Sequence, residues 1–130
     1  RLISVTSTVS GEGKTFVALN LGGIIALSGK KTILLDLDLR KPKVHLGFDA
    51  DNRHGMSSLI VGQSKLDECI KHSSIEGFDF ITAGPIPPNP SDISIFFPEH
   101  NGQAYFVRKN ADTLHFQGSG PLYHEGIAVF

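Results

Sequence analysis

The segment that most constrains the fold of this chain is Ser7–Thr15, with the sequence Ser-Thr-Val-Ser-Gly-Glu-Gly-Lys-Thr. It follows the strand-like run Leu2–Val5 and begins a long apolar, helix-like run. A strand, a glycine-rich loop and a helix in this order are typical of a phosphate-binding loop. Thr8 stands where the strict eight-residue pattern has its first glycine, so the prediction depends on this context and on the Gly-Lys-Thr ending.

The residue types in this loop suit the binding of nucleotide phosphates. Gly11 and Gly13 permit positive φ and bring backbone N–H groups close to phosphate oxygens. Lys14 is expected to reach the β and γ phosphates, and Thr15 to supply a hydroxyl to Mg²⁺. The helix that begins here directs the positive end of its dipole at the same anion. The predicted nucleotide-binding residues are Ser10, Gly11, Glu12, Gly13, Lys14, Thr15 and Phe16.

The composition is that of one globular domain. The chain has 130 residues and enough apolar content for a single core. Its net charge is -1, and apart from Arg40–Lys43 the basic residues are dispersed, which argues against nucleic-acid binding. The single cysteine, Cys69, cannot form an internal disulfide, which fits a reducing cytosol.

Apolar runs are shorter than the roughly 18 residues of a membrane span. No signal peptide precedes the first strand, and the abrupt start at Arg1 suggests a part of a longer protein.

Two segments after the loop complete a predicted βαβ unit. Residues 14–28 predict a helix that is apolar on nearly every side, hence buried, and that ends at Gly29. Gly22 and Gly23 are expected to pack closely against a sheet, because each otherwise costs the helix roughly 1 kcal/mol relative to alanine. Thr32–Asp36 is a continuous apolar run, typical of a strand buried on both faces of a parallel sheet. A right-handed crossover brings the end of that strand to the sheet edge beside the loop.

A second acidic element, Asp36-Leu37-Asp38-Leu39-Arg40, directly follows this strand. If the backbone stays extended, Asp36 and Asp38 project to the same side. Two carboxylates beside a phosphate loop can hold Mg²⁺ directly or through water, and one of them can orient or deprotonate an attacking hydroxyl. Solvated acidic residues at a strand end are the alternative interpretation. The predicted catalytic residues are Lys14, Asp36, Asp38 and Arg40, and the predicted metal ligands are Thr15, Asp36 and Asp38.

The rest of the chain divides near residue 93. Helices are predicted over 56–61 and 66–71 and a strand over 78–82, followed by a loop, 84–90, stiffened by four prolines, with Ser91 and Asp92 as helix caps. From residue 94 onward no clear period appears, and no apolar strand ends in Asp. We therefore separate a phosphate-loop region, 1–93, from an atypical tail, 94–130. The predicted fold is α/β, a P-loop NTPase-like three-layer αβα arrangement with a mostly parallel sheet that is incomplete on its C-terminal side.

Three segments together resemble the cytoplasmic kinase domain of bacterial tyrosine kinases, the autokinases attached to polysaccharide co-polymerases of capsule and exopolysaccharide export. They are Gly11–Thr15, Asp36–Pro42 and Ala83–Ser91, and the resemblance covers roughly residues 2–93. The nearest relatives of that family are the partition and cell-division ATPases, which carry a signature lysine early in the loop. This chain has Val9 there, and its proline-rich segment also favours the kinases.

The resemblance implies an ATP- and Mg²⁺-dependent protein-tyrosine autokinase that regulates capsule or exopolysaccharide synthesis and export. It implies that Lys14 and Thr15 hold phosphate and metal, and that Asp36 and Asp38 organise the metal and the tyrosine hydroxyl. It also implies self-association into a ring, in which a neighbouring subunit's tyrosine cluster is phosphorylated. Further implied partners are a membrane-embedded co-polymerase or activator segment and a counteracting tyrosine phosphatase, with the domain at the cytoplasmic face of the cell membrane.

Two other functions stay open. The kinase family has a third acidic motif on an apolar strand and a tyrosine cluster, whereas the tail of this chain shows neither, and Tyr105 and Tyr123 are isolated. A P-loop ATPase switch of the partition or cell-division type needs only the loop and Asp36. An ATP-binding but catalytically incomplete fragment is the other alternative, in which the missing strand leaves a sheet edge open.

Overall fold

A computed structural model describes residues 2–9, 11–86, 93–96, 105–108, 114–115 and 125–130. The helices are α1 (Lys14–Leu27), α2 (Val44–Gly47), α3 (Met56–Ile60) and α4 (Leu66–Cys69). The strands are β1 (Leu2–Val5), β2 (Thr32–Asp36), β3 (Lys71–His72), β4 (Phe78–Ile81), β5 (Ile93–Phe96), β6 (Tyr105–Arg108), β7 (Leu114–His115) and β8 (Glu125–Val129).

Five of the strands form one sheet in the order β1-β8-β2-β4-β3. Neighbouring strands are parallel except for β3 and β4, which are antiparallel. The strands β5, β6 and β7 form a separate antiparallel sheet. The predicted α/β fold with a mostly parallel sheet is therefore confirmed. Because β1, β8, β2 and β4 run in one direction, the loops that follow them meet at a single edge of the sheet.

The two faces of the five-stranded sheet carry separate apolar cores. On β2, Leu34 packs in the core formed with α1 and α2, whereas the next residue, Leu35, packs in the core formed with α3 and α4. The same alternation holds for Ile127 and Ala128 on β8. Successive side chains of a strand point to opposite faces, so a strand covered on both sides reads as a continuous apolar run. This confirms the three-layer αβα arrangement.

Helix α1 follows its prediction in length but not in burial. Gly29, just beyond its end, has φ 85°, and a Cβ placed on Gly22 would lie 2.3 Å from Cζ of Phe78, so the expected close contact with the sheet is present. The sheet covers only one side of the helix. The prediction of a helix buried on nearly every side is therefore wrong for its outward face, where the exposed apolar residues are Phe16, Val17, Ile24 and Leu27.

Strand β8 belongs to the central sheet and was not predicted from the sequence. It lies between β1 and β2, is hydrogen-bonded to both, and buries Ile127, Ala128 and Val129 completely. The strand thus lies inside the sheet, whereas the fragment hypothesis expected a missing strand to leave an edge open, and Phe130 rather than an aspartate follows it. The division at residue 93 stays a prediction. The structure adds that the regions on either side of it share one sheet.

The remaining local predictions have mixed outcomes. Helix α3 and strand β4 confirm the predictions for 56–61 and 78–82. The helix predicted over 66–71 ends earlier, because Lys71 and His72 pair with β4 as an edge strand. Helix α2 was not predicted. Residues 87–92, with most of the proline-rich loop and both predicted caps, lie outside the described residues.

Candidate functional site

The predicted phosphate loop joins β1 to α1 at the C-terminal edge of the parallel strands. Gly11 has φ 91° and Gly13 has φ 84°. A Cβ added at either position would meet open space, so the left-handed backbone, and not crowding, requires glycine there. Gly13 is the N-cap of α1, and its carbonyl oxygen accepts the N–H of Val17 at 3.0 Å. Ser10 lies outside the described residues.

The other predicted nucleotide-binding residues are Glu12, which precedes the N-cap, and those in the first turn of α1. Lys14 and Thr15 are its first two residues, and both are half-buried. Glu12 is exposed, and its Oε2 accepts the N–H of Val9 at 3.4 Å. Phe16 is 71% exposed. The described part of the loop therefore has left-handed glycines directly before a helix, as predicted, while the binding role of each residue remains a prediction.

Asp38 lies in contact with the loop's lysine. Its Oδ2 is 2.7 Å from Nζ of Lys14, and the two side chains are only 16% and 19% exposed. Its Oδ1 accepts the backbone N–H of Lys41 at 3.0 Å. Arg40, in the turn that this hydrogen bond closes, is exposed. The βαβ crossover has thus brought the acidic element to the phosphate loop, as the sequence predicted.

Asp36 has a different environment from Asp38. It is completely buried at the end of β2. Its Oδ1 accepts the N–H of Asp38 at 3.1 Å, and its Oδ2 accepts the N–H of Val44, at the start of α2, at 3.2 Å. The strand ends at Asp36, so the extended backbone that would direct both carboxylates to one side does not continue. Asp36 therefore organises the turn that presents Asp38.

The pKa values of the two carboxyl groups move in opposite directions. Burial raises the pKa of Asp36 from 3.8 to about 6, against the lowering effect of its two backbone hydrogen bonds. Partial burial also acts to raise the pKa of Asp38, but the ion pair with Lys14 and the N–H of Lys41 outweigh it and leave that pKa below 3.8. Asp38 is therefore the more firmly ionised of the pair.

The raised pKa of Asp36 predicts a pH dependence of stability. Between its unfolded pKa of 3.8 and its folded pKa of about 6, the folded state binds more protons than the unfolded state. The free energy of unfolding should therefore fall as pH rises through this window, by up to about 3 kcal/mol, and this contribution should level off above it. Asp38 contributes with the opposite sign, since its stabilisation is lost only as pH falls below 3.8.

Urea denaturation at a series of pH values measures this slope. Asp36→Asn should flatten the curve between pH 4 and pH 6 relative to the parent chain. Asp51→Asn is the matched control, because Asp51 is an exposed carboxylate that also accepts a backbone N–H, from Arg53 at 3.1 Å. An equal slope in Asp36→Asn and in the parent would contradict the assignment.

The oxygen donors at the site fit a magnesium ion. The Thr15 hydroxyl and the Asp38 carboxylate are hard oxygen ligands, which Mg²⁺ prefers, and Mg²⁺ bound with phosphates needs only one or two protein ligands. Both oxygens of Asp36 already accept backbone N–H groups, so this residue is better placed to orient Asp38. Within the described part of the chain, no group of three or more His, Cys, Asp or Glu side chains is arranged to hold a metal.

A backbone crossing next to β4 was not foreseen from the sequence. Asn52 donates its side-chain N–H to the carbonyl oxygen of Gly84 at 2.8 Å and accepts the N–H of Gly84 at 2.8 Å. Two more hydrogen bonds tie the start of α3 to the same loop, from Met56 N–H to the Thr82 oxygen and from Ser57 N–H to the Ala83 oxygen. The sequence around Asn52 carries no local signal of these contacts, because the partners are some thirty residues away in the chain.

The match to a family model agrees with this geometry. Residues 3–67 match the CobQ/CobB/MinD/ParA nucleotide binding domain, and this match spans the loop, α1, the acidic turn and α3. The chain belongs to this family of nucleotide-binding domains. Relatives about 40% identical to the chain include bacterial tyrosine kinases.

Three known proteins illustrate this similarity. The tyrosine-protein kinase YwqD of Bacillus subtilis is 41% identical over 91 residues, which are 70% of this chain and 38% of the relative. The kinase domain of the Escherichia coli tyrosine kinase ETK is 40% identical with a TM-score of 0.66, over 69% of this chain and 35% of that one. The septum site-determining protein MinD of Pyrococcus horikoshii, in complex with Mg-ADP, is 26% identical with a TM-score of 0.61, over 69% of this chain and 37% of that one.

These comparisons confirm the predicted resemblance to bacterial tyrosine kinases, which are more similar in sequence than the cell-division ATPase. The chain spans less than two fifths of the length of each of these three proteins. The family model that matches residues 3–67 describes a nucleotide binding domain. Of the helices that the structure describes, none has the length and apolar character needed to cross a bilayer.

Proposed function

We propose that this chain is the ATP-binding part of a bacterial protein-tyrosine autokinase of the capsule and exopolysaccharide systems. The proposal rests on the arrangement of the phosphate loop and the acidic turn. A phosphate loop with two left-handed glycines lies beside an acidic turn whose Asp38 contacts Lys14 at 2.7 Å. The chain is about 40% identical to tyrosine kinases and 26% identical to MinD, which favours a kinase function over that of an ATPase switch.

The residues of the site divide the work of phosphoryl transfer. Backbone N–H groups of residues 11–15 receive the phosphates, and Lys14 and Arg40 neutralise their charge. Asp38 orients or deprotonates the tyrosine hydroxyl, and Asp36 holds the turn that carries Asp38. Such transfer depends mainly on positioning and charge stabilisation, so no further covalent chemistry is required of the protein.

Thr15 and Asp38 would hold Mg²⁺, with Asp36 acting through Asp38 or through a water. When bound, the ion would neutralise charge on the β and γ phosphates. The proposal also includes the partners that the kinase resemblance implies, namely other copies in a ring, a membrane-embedded co-polymerase or activator segment and a tyrosine phosphatase. It places the domain at the cytoplasmic face of the membrane. The dispersed basic residues and net charge of -1 argue against nucleic acid as a partner.

Lys14→Met should weaken Mg-ATP binding roughly 10- to 100-fold, because a charge-assisted hydrogen bond to phosphate is lost. Isothermal titration calorimetry of the parent and the variant measures this. Lys65→Met is the matched control, since Lys65 is an exposed lysine at the start of α4, outside the phosphate loop. Equal affinities in the parent and in Lys14→Met would contradict the proposed site.

Transfer of labelled γ-phosphate, with mass-spectrometric mapping of the modified residue, tests the reaction itself. Label on tyrosine, on this chain or on an added tyrosine-rich peptide, supports the kinase. Release of inorganic phosphate without labelled tyrosine supports the switch, the second candidate, which the similarity to MinD favours. Binding with neither outcome supports the incomplete fragment, an alternative consistent with Phe130, and not an aspartate, as the residue directly after β8.

A further inference from the structure

The ion pair between Lys14 and Asp38 uses the ammonium group that the proposed function assigns to phosphate. The two charged atoms lie 2.7 Å apart, and less than one fifth of either side chain is exposed. The Coulomb attraction between two charges that are partly shielded from water is larger than between charges on the surface. A phosphate group that enters the loop must therefore compete with Asp38 for Lys14.

The Asp38 carboxylate is fixed in place independently of Lys14. Its Oδ1 accepts the N–H of Lys41 at 3.0 Å, which closes the turn. Its own backbone N–H donates to the buried Asp36 at 3.1 Å, and Asp36 is in turn held by Val44 N–H at 3.2 Å. Asp38 is thus a preformed anion, anchored through backbone on both sides, and it remains beside the loop when Lys14 turns to another partner.

Free and metal-bound nucleotides meet this anion differently. A metal-free phosphate that takes Lys14 leaves the Asp38 carboxylate unpaired and close to a second anion, which is unfavourable. A phosphate that arrives with Mg²⁺ would supply a new partner for each half of the ion pair, since Lys14 would bind phosphate and Asp38 would be a ligand for the cation.

We propose that Asp38 makes this site selective for metal-bound over metal-free nucleotide by acting as the resident anion of Lys14. The inference rests on the proposed nucleotide site and assigns a specificity-determining role to one of its residues. The expected signature differs from that of a residue that only binds the metal. Removal of the charge should tighten binding of the metal-free nucleotide, which loss of a metal ligand alone would leave unchanged.

Calorimetric titration of ADP in excess chelator and of Mg-ADP, on the parent and on Asp38→Asn, is the test. Asparagine keeps an Oδ1 acceptor for the Lys41 N–H, removes the charge and replaces the Oδ2 that faces Lys14 with an NH₂ group. We expect metal-free ADP to bind Asp38→Asn about tenfold or more tighter than the parent, and Mg-ADP to bind it no tighter. Asp51→Asn, which removes a carboxylate that accepts Arg53 N–H at 3.1 Å, is the control and should change neither affinity.

A second readout separates the ion pair from simple repulsion at a distance. Acetylation of lysines by a water-soluble ester, followed by mass spectrometry without nucleotide, should be slow at Lys14 in the parent and several-fold faster in Asp38→Asn. Lys65 should react equally in both. If Asp38 acted only by repulsion at a distance, Asp38→Asn would bind metal-free ADP more tightly but Lys14 would be acetylated at the same rate as in the parent. That result overturns the proposal.

The two proposals fail in distinguishable ways. If the parent chain binds Mg-ADP but Asp38→Asn binds metal-free ADP no more tightly than the parent does, the proposed role of Asp38 is overturned and the nucleotide site stands. Parent chain that binds neither form overturns both. If circular dichroism shows that Asp38→Asn does not fold, Asp38→Ser replaces it, because a serine hydroxyl can also accept the N–H that closes such a turn.

Discussion

Phe78→Ala is expected to lower the free energy of unfolding by about 3–5 kcal/mol, the typical cost of emptying the place of a fully buried aromatic ring. Phe78 is 2% exposed and lies between the sheet and the helices of one face. Its ring contacts Gly22 of α1 and meets the ring of Phe48 edge-on, with centroids 5.6 Å apart. Because α1 carries the phosphate loop at its N-terminus, this packing also holds the loop against the sheet.

Urea denaturation followed by circular dichroism measures the change. Phe16→Ala is the matched control, since Phe16 is 71% exposed and its loss should change stability by less than about 1 kcal/mol. Phe78→Leu keeps most of the volume and should cost less than half as much as Phe78→Ala, which provides a measurable variant if the alanine variant does not fold. Equal effects of Phe78→Ala and Phe16→Ala would contradict the described core.

Gly55→Ala should destabilise the chain by about 2–4 kcal/mol through steric overlap and lost hydrogen bonds. A Cβ on Gly55 would lie 2.3 Å from the Thr82 carbonyl oxygen and 2.4 Å from the Gly84 nitrogen. Both are backbone atoms, so no side chain can move aside to make room. The extended φ of −169° at Gly55 suits any residue, which leaves the close approach as the whole reason for glycine.

Gly62→Ala is the informative control for this substitution. Gly62 follows α3 with φ 76° and has open space where its Cβ would be. Alanine there should cost about 1 kcal/mol, through backbone conformation alone. The same denaturation experiment compares the two variants. A larger loss of unfolding free energy for Gly62→Ala than for Gly55→Ala would contradict the close backbone contact between Gly55 and Gly84.

The N-terminal βαβ unit was predictable because its signals are local. Gly13 and Gly29 stand where α1 begins and ends, and Thr32–Asp36 has the continuous apolar run of a strand covered on both faces. Each of these signals depends on neighbours in sequence, so a single sequence suffices to interpret them.

Strand β8 escaped prediction for the opposite reason. Five residues, Glu125–Val129, follow a long stretch without period, and their partners are about 90 and 120 residues earlier in the chain. A short apolar run of this kind becomes a central strand only because β1 and β2 leave a parallel position between them. The Gly126–Val129 run was the available signal, and it is too short to distinguish from a buried turn of helix.

The candidate site shows the same division between local and distant causes. Its residue types and spacing followed from the sequence, since the phosphate loop and the acidic turn are separated by one βα unit. The separate environments of Asp36 and Asp38 did not. They depend on where β2 ends, on the N–H of Val44 and on the position of Lys14, which are set by packing.

By itself, then, the sequence determined the order of the first elements, the left-handed glycines of the loop and the membership of a nucleotide-binding family. Only the tertiary structure decided that β8 lies between β1 and β2, that Asp36 is buried while Asp38 pairs with Lys14, and that the backbone of Gly55 packs against that of Gly84. The physical reason is that helix and strand signals arise between neighbouring residues, whereas burial, ion pairing and close backbone contacts arise between segments that meet only when the chain folds.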